Sequence, residues 1–593
     1  MKQRASSGNR DFHANANTAN SIGDQQRSEA PVLQSRRKFL GKVRGVAMGA
    51  AALSAIGIEP LLGSVAAAAD SERSSNGANR TEEAAGIRIN TANAERRVSS
   101  VPHATNGDEE RYSDKCGTYT KALLQDGPGR VNLNAYQSFR AALNSGNPAD
   151  FENIVMGGDR KLTGPQGGLT FDLEGTDSAK FGSAPCPEDQ ETVVVVPPAP
   201  ALASAAYGTE LIELYWASQL RDVPFTQYAS DPIAARAAQE ISRLPEYAGP
   251  RRAGQVTPDL LFRGIFPGET MGPYMSQFFI TPTFLGQQPI GQQHVTFQPG
   301  IDYLTDLNSW ALIQNGGSTG LENQVDPQLR FKRNGRDLAA FTHIDVLFQE
   351  YFVAFLVLCT MGAPLNPGNP YNNSRTQVGF ATFAAPQAAG MLGEVAWRAL
   401  ERSWYQKWFV HRRHRPESGG GIVHLIKTGQ GNTIQGSPNS NVLNSQAVQS
   451  SFNKYGSYLL AQTFPEGSPT HPSYPTGHGV VAGACITILK FFYDGNFVLQ
   501  NPVVPTDDGL SLVPYTGPDQ LTVNGELNKL AHNVTFGHGI HAGIHWRSDS
   551  DVSMVLGEAT AISFLQDQAQ TFNEKFTVSF TKLDGTTATI SNQ

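Results

Sequence analysis

The sequence predicts a mainly α-helical protein, with helices packed in bundles and a minor β-hairpin at the C-terminus. From about Tyr112 onward, stretches with apolar residues at three- and four-residue steps alternate with Gly- and Pro-rich connections. Strand-like alternation is clear only near the C-terminus. No internal repeat with a period on the order of 20–50 residues is present, which argues against a solenoid. At 593 residues and 39% hydrophobic content, the chain has apolar mass for one large core.

Near the N-terminus, Ser35-Arg36-Arg37-Lys38-Phe39-Leu40 precedes a Gly- and Ala-rich apolar stretch from Val46 to Leu62, and Ala66-Ala67-Ala68 follows shortly after. That order predicts a twin-arginine export signal over residues 1–68, and hence a periplasmic or extracellular protein. A membrane anchor fits less well, because Glu59 and Pro60 interrupt a stretch already shorter than the ~20 apolar residues a span needs. Residues 69–110 are polar and poor in aromatics and read as a flexible linker. Residues 111–593 are then expected to form the helical domain, with no membrane span in the mature chain.

Within that domain, Thr209-Glu210-Leu211-Ile212-Glu213-Leu214 predicts a helix capped by Thr209 and closed before Pro224. A second helix is expected from Asp337 through Met361, with Asp345, Gln349 and Glu350 at polar positions. Pro386 suits the first turn of a third, which reaches about Trp408 and carries Lys407. A further helix starts at Thr476 or Gly477 and runs to Tyr493, and a last long one covers Asp551 to about Gln570. Two strands, 575–582 and 586–590, make a hairpin turned at Asp584-Gly585.

A net charge of -7 excludes a nucleic-acid-binding face, since neutralising a phosphate backbone takes clustered Lys and Arg. Four cysteines appear without CxxC spacing, so no metal finger is encoded. Cys359 and Cys485 fall in apolar helical runs and read as packed thiols. Cys116 and Cys186 lie in polar, turn-rich segments and could pair in an exported protein.

Three segments carry the chemistry. KWFVHRRHRPE at Lys407–Glu417 sets an ammonium and a guanidinium eight residues apart, about two turns if the helix persists, with Pro416 expected to end it. A basic run of this kind is usually a solvated face; two cations of different shape facing one pocket would instead suit an oxyanion. HPSYPTGH at His471–His478 is a Pro/Gly loop leading into a helix. Thr476 at its N-cap and the Gly477 amide lie where the helix dipole favours an anion, and His478 sits in the first turn. GIHWRSD at Gly543–Asp549 places a carboxylate four residues after His545, where it could fix the ring tautomer.

These three segments, in this order, resemble the vanadium-dependent haloperoxidases, specifically the bromoperoxidase branch. The likeness extends upstream through GGDRKLTGPQGGLTFDLEG at Gly157–Gly175, ELYWASQLRDVPF at Glu213–Phe225 and LFRGIFPGETMGPYMSQFF at Leu261–Phe279. The resemblance implies the helical-bundle haloperoxidase fold and a vanadate cofactor held by Lys407, Arg415, Thr476 and Gly477, with His545 as the metal ligand. It implies His478 as the acid–base group, Lys407 as a catalytic cation and His471 as the residue that tunes halide oxidation towards bromide. The reaction implied is oxidation of halide by hydrogen peroxide to a hypohalous acid equivalent that halogenates a small organic acceptor, in a homo-oligomer. Type 2 acid phosphatases share this pocket, so phosphate-ester hydrolysis with His545 as nucleophile is the alternative, as is an inactive exported relative.

Two positions depart from the family pattern. Thr476 replaces a serine and keeps the hydroxyl. Gly539 stands six residues before His545, where the family has an arginine, at a cost of about 1.5–3 kcal/mol in oxyanion binding. Protonated His538, one residue earlier, is expected to take that place and to make vanadate binding tighten as pH falls; the alternatives are that Arg547 or another arginine closes the pocket, or that the cofactor is held weakly.

Overall fold

The structure is a computed structural model that describes residues 75–97, 103–169 and 196–593. The expected export signal, and Cys186 with its expected link to Cys116, lie outside them. Residues 81–593 form one compact unit. Among the described residues, sixteen α-helices stand against eight short strands, all of them in two-stranded hairpins. Eight helices build or support the site and are labelled here: α1 (Ala205–Leu220), α2 (Gly335–Phe341), α3 (Gln349–Thr360), α4 (Ala385–Tyr405), α5 (Pro416–Lys427), α6 (Gly477–Phe492), α7 (Val523–Phe536) and α8 (Arg547–Gln570).

At the centre lies α6, every residue of which is buried. Its run of Val480, Val481, Ile486 and Ile488 is rich in β-branched residues, so its helicity comes from packing on all sides rather than from propensity. It packs most extensively against α8, then α4 and α7. The α6–α8 seam is made of small residues. A Cβ on Gly483 would lie 1.9 Å from the Met554 carbonyl oxygen, one on Gly557 2.0 Å from that of Val480, and one on Gly479 1.8 Å from Ser553 Oγ. Behind the site, α1 buries Tyr207, Tyr215 and Trp216 in a second apolar cluster shared with Trp546.

The terminal hairpin forms as predicted, as β1 (Thr577–Thr581) and β2 (Thr587–Ser591) paired from Thr577↔Ser591 to Thr581↔Thr587. Val578, Phe580, Ala588 and Ile590 face the core in strict alternation. Helix α6 also keeps its predicted limits, with Thr476 at the N-cap and Tyr493 at the C-cap. Helix α1 starts earlier than expected. Ser204 accepts the Tyr207 N–H at 3.1 Å and caps it, so Thr209 lies inside the helix.

Larger differences surround the site. The helix expected over Asp337–Met361 is two helices, α2 and α3, separated by a loop at 342–348. Within it the Thr342 hydroxyl donates back to the Leu338 carbonyl at 3.0 Å, a local bond of the kind that competes with helix continuation. Ile344 and Val346 are 86% and 60% exposed, so the apolar pattern there did not mark a buried stripe. Lys407 lies on a π turn, Gln406–His411, that follows α4, and Arg412 then turns left-handed at φ 43°. Pro416 does not end a helix that holds both cations. It opens α5, where its missing N–H is harmless, and Arg415 is the α5 N-cap.

The segment read as a linker is partly structured. Ser75–Arg97 is helical, and Glu109 pairs with Arg412 at 2.7 Å and Arg140 at 3.0 Å. The folded unit therefore reaches back beyond residue 111. Cys485 is buried as expected, whereas Cys359 is exposed, its Sγ 3.2 Å from the Tyr493 hydroxyl. No helix among the described residues is long and apolar enough to cross a membrane.

Candidate active site

The basic run is not a solvated face. Arg402, Lys407, His411, Arg412, Arg413, His414 and Arg415 are all less than a tenth exposed. Lys407 Nζ donates to the carbonyls of Pro472 and Ser473 at 2.9 and 2.8 Å, which leaves one of its three protons for the pocket. Arg415 Nε donates to the His471 carbonyl at 2.9 Å, and its terminal nitrogens reach His471 Nδ1 at 2.9 Å, the Ile544 carbonyl at 3.0 Å and His545 Nε2 at 2.8 Å. The three segments, distant in sequence, therefore close on one another through the predicted residues. The Thr476 amide adds a fourth tie by donating to the Asp549 carbonyl at 3.2 Å.

His545 is set as a ligand. Its Nδ1–H donates to Asp549 Oδ2 at 3.0 Å, as the four-residue spacing predicted, which fixes the tautomer that leaves the Nε2 lone pair to the pocket. Asp549 is held in turn by the Trp546 amide at 3.1 Å and Arg413 at 2.7 Å. Arg413 is a buttress behind the ligand, sandwiched between Asp549 and Glu210 and lying over the Trp546 ring.

His478 lies on the first turn of α6, and its Nε2 meets both oxygens of Asp345 at 3.0 Å. Asp345 read as an ordinary polar position within a helix. The helix break at 342–348 is what delivers it. Trp404 was also missed. It sits one turn before Lys407, its ring 4.8 Å from His471 and beneath the Lys407 ammonium at 5.9 Å.

His538 stacks on His478 at 3.6 Å between centroids and lies 5.5 Å from His545, and its Nδ1 faces the Thr342 carbonyl at 3.3 Å. A second π turn, Gly537–His541, accounts for that position, since an i→i+5 turn absorbs one extra residue without moving the flanking helix. His538, seven residues before His545, is thereby drawn into the pocket. A side chain at Gly539 would be crowded on this backbone, because a Cβ there would lie 3.0 Å from His545 Cβ and the histidine would have to give way slightly. Arg547 is not a substitute: its guanidinium is taken up by Glu213, Tyr247 and the Arg263 carbonyl. His538 itself is not readily charged. Burial, then His478, His545 and Arg415, hold its pKa well below the ordinary value in the anion-free pocket, which moves the tightening that a protonated ring would bring to lower pH.

The pocket carries uncompensated positive potential. Burial, then Arg415, holds the Lys407 amine well below its ordinary range, and burial pushes the Arg415 guanidinium down to about 10. His471 and His545 are depressed first by burial and then by Arg415 and Lys407. A bound anion would oppose each shift. The Thr476 hydroxyl is buried without a hydrogen-bond partner and makes no cap bond, although it stands at the positive end of a long helix. An orphaned hydroxyl, first-turn amides, two buried cations and an imidazole lone pair contacted only by Arg415 fit an oxyanion centred on a metal, and vanadate satisfies all of them. Among the described residues, no group of three or more His, Cys, Asp or Glu is placed to hold a bare metal ion.

The fold and this donor set define a helical-bundle enzyme with a buried oxyanion pocket. Residues 392–574 match the model of the VCPO second helical-bundle domain. The chain is 32% identical to a vanadium-dependent bromoperoxidase of Ascophyllum nodosum, over 85% of this chain and 91% of that one. It is 31% identical to that of Corallina officinalis, over 86% and 96%. The homohexameric structure of the second vanadate-dependent bromoperoxidase of Ascophyllum nodosum superimposes with a TM-score of 0.81 at 28% identity, covering 88% of this chain and 92% of that one. The chain belongs to the vanadium-dependent bromoperoxidase family.

Proposed function

We propose that this protein is a vanadate-dependent haloperoxidase that uses hydrogen peroxide to oxidise halide, bromide foremost, to a hypohalous acid equivalent that halogenates a small organic acceptor. The observation that carries this reading is the convergence of Lys407, Arg415, the orphaned Thr476 hydroxyl and His545 Nε2 on one pocket. His545 would coordinate vanadium, and Lys407, Arg415, Thr476 and the Gly477 amide would hold the oxygens, with His538 closing the wall that lacks the family arginine. When bound, vanadate supplies a Lewis-acid centre that activates peroxide without a change in metal oxidation state.

The chain's own residues do the rest. Lys407 and Arg415, stripped of water, stabilise charge developing on the oxygens more strongly than they could in solvent. Asp345 occupies His478 Nε2, which leaves Nδ1 to exchange a proton with a bound reactant. His471, pinned by Arg415 and flanked by Trp404, would tune which halide approaches. Phosphate-ester hydrolysis is not favoured, because relatives aligned over most of the chain are bromoperoxidases.

Export by the twin-arginine route and assembly as a homo-oligomer belong to the same reading. The first rests on Ser35–Leu40 and the stretch that follows, the second on the homohexameric structural relative. Steady-state bromination and chlorination of a phenolic dye, with and without added vanadate, test the function. Bromination that depends on vanadate is expected; activity indifferent to vanadate, or faster release from a generic phosphate ester, would overturn it.

A further inference from the structure

On the first turn of α3, five residues beyond Asp345, Glu350 is buried, and its carboxyl oxygens meet no donor beyond the residue's own backbone N–H. Its carboxyl lies within hydrogen-bonding reach of the Asp345 carboxylate, whose oxygens also face His478 Nε2. Lys332, the nearest cation, is committed elsewhere: its Nζ donates to the carbonyls of Phe279 and Gln292, both at 3.2 Å, and lies over the rings of Phe279 and Phe341. The other titratable groups that face Glu350 are Tyr351 on its own helix and Cys485 on α6, both kept neutral by burial.

Two carboxyl groups in contact away from water cannot both be ionised. We propose that Glu350 carries the proton and donates a hydrogen bond to Asp345, so that a carboxylic acid, a carboxylate and an imidazole stand in a row behind the reaction centre. With the proton on Glu350, its carboxyl becomes a donor, Asp345 gains a second partner in addition to the histidine, and the negative charge stays where it orients His478. The opposite placement would leave a buried charge on Glu350 with only its own backbone N–H as a donor. Burial and the neighbouring Asp345 charge push the Glu350 carboxyl well above its ordinary range, in agreement. Glu350 is thus a positioning residue for His478, and no proton is transferred along the row.

The inference rests on reading His478 as the acid–base group, and two measurements separate its failure from the failure of that reading. In vanadate-free protein, the infrared difference between wild type and Glu350→Gln is expected to show the carbonyl band of a protonated carboxylic acid at neutral pH; its absence would overturn the proposal whatever the enzyme's activity. In vanadate-loaded protein, Glu350→Gln keeps a donor and is expected to retain the wild-type pH profile of bromination. Glu350→Leu removes the donor; its kcat is expected to drop on the order of tenfold and its pH limb to move by about one unit, with the KM for peroxide within about twofold. Equal disturbance by the two variants would also overturn it. Should Glu350→Leu fail to fold, the infrared band and the glutamine profile still decide.

Discussion

At the scale of single residues, the site depends on polar atoms whose partners are missing or shared. The Thr476 hydroxyl has no partner inside the protein, so its hydrogen bond is available only to a ligand. Thr476→Val, close in shape, is expected to weaken vanadate binding about tenfold, the worth of one hydrogen bond to a charged acceptor, whereas Thr476→Ser should keep it. Equilibrium dialysis against vanadate reads both, and equal affinities for Val and Ser would remove the hydroxyl from the site. Asp549 is shared among His545, Trp546 and Arg413. Asp549→Asn retains an acceptor but not the charge that fixes the imidazole, and a loss of about 10- to 100-fold in vanadate affinity is expected. An unchanged affinity would mean that His545 needs no carboxylate behind it.

At the scale of elements, the site sits on helix irregularities held by tight seams. Both π turns, Gln406–His411 and Gly537–His541, lie where a side chain enters the pocket. Helix α6 can be so central only because Gly479, Gly483 and Gly557 let two backbones touch along α8. A methyl group at 483 would meet the Met554 carbonyl at 1.9 Å, which α6 can relieve only by moving away from α8 and taking Thr476, Gly477 and His478 with it. Gly483→Ala is therefore expected to cost at least ~1–3 kcal/mol of stability and to lower vanadate affinity, although residue 483 lies two turns from the site. Thermal unfolding and dialysis on the same samples check this, and a loss confined to stability would show that α6 does not transmit the shift.

At the scale of the whole molecule, the buried histidines set its response to acid. His411, His414 and His541 are held at about 3 by burial and neighbouring cations, against about 6.5 in an unfolded chain. Between those values the unfolded state binds the proton and the folded state does not. Their contribution to stability is thus complete above about pH 6.5 and is lost as pH falls towards about 3, at up to ~1.4 kcal/mol per pH unit for each. Unfolding midpoints should fall steadily below about pH 6.5, and His541→Asn should flatten that slope whatever its effect on stability at neutral pH. A midpoint independent of pH between about 6.5 and 4 would contradict the assignment.

The limits of α6, the terminal hairpin, the end of α1 before Pro224 and the His545–Asp549 pair were legible in the sequence, because each rests on interactions within a few residues: a cap, an alternation, a tight turn, one helical step. The three segments that meet at the pocket could be named from the sequence as well, but Asp345 and Trp404 beside them could not. What the sequence could not show was how the segments meet. Asp345 reached His478 only because a predicted helix breaks, Lys407 and Arg415 came together from separate elements, and His538 entered the pocket through an inserted residue absorbed in a π turn. Local signals report what a segment prefers alone. The burial of seven basic residues in one run was decided by the whole fold, which compensates them with Glu109, Glu210 and Asp549 from other segments and leaves Lys407 and Arg415 to await an anion.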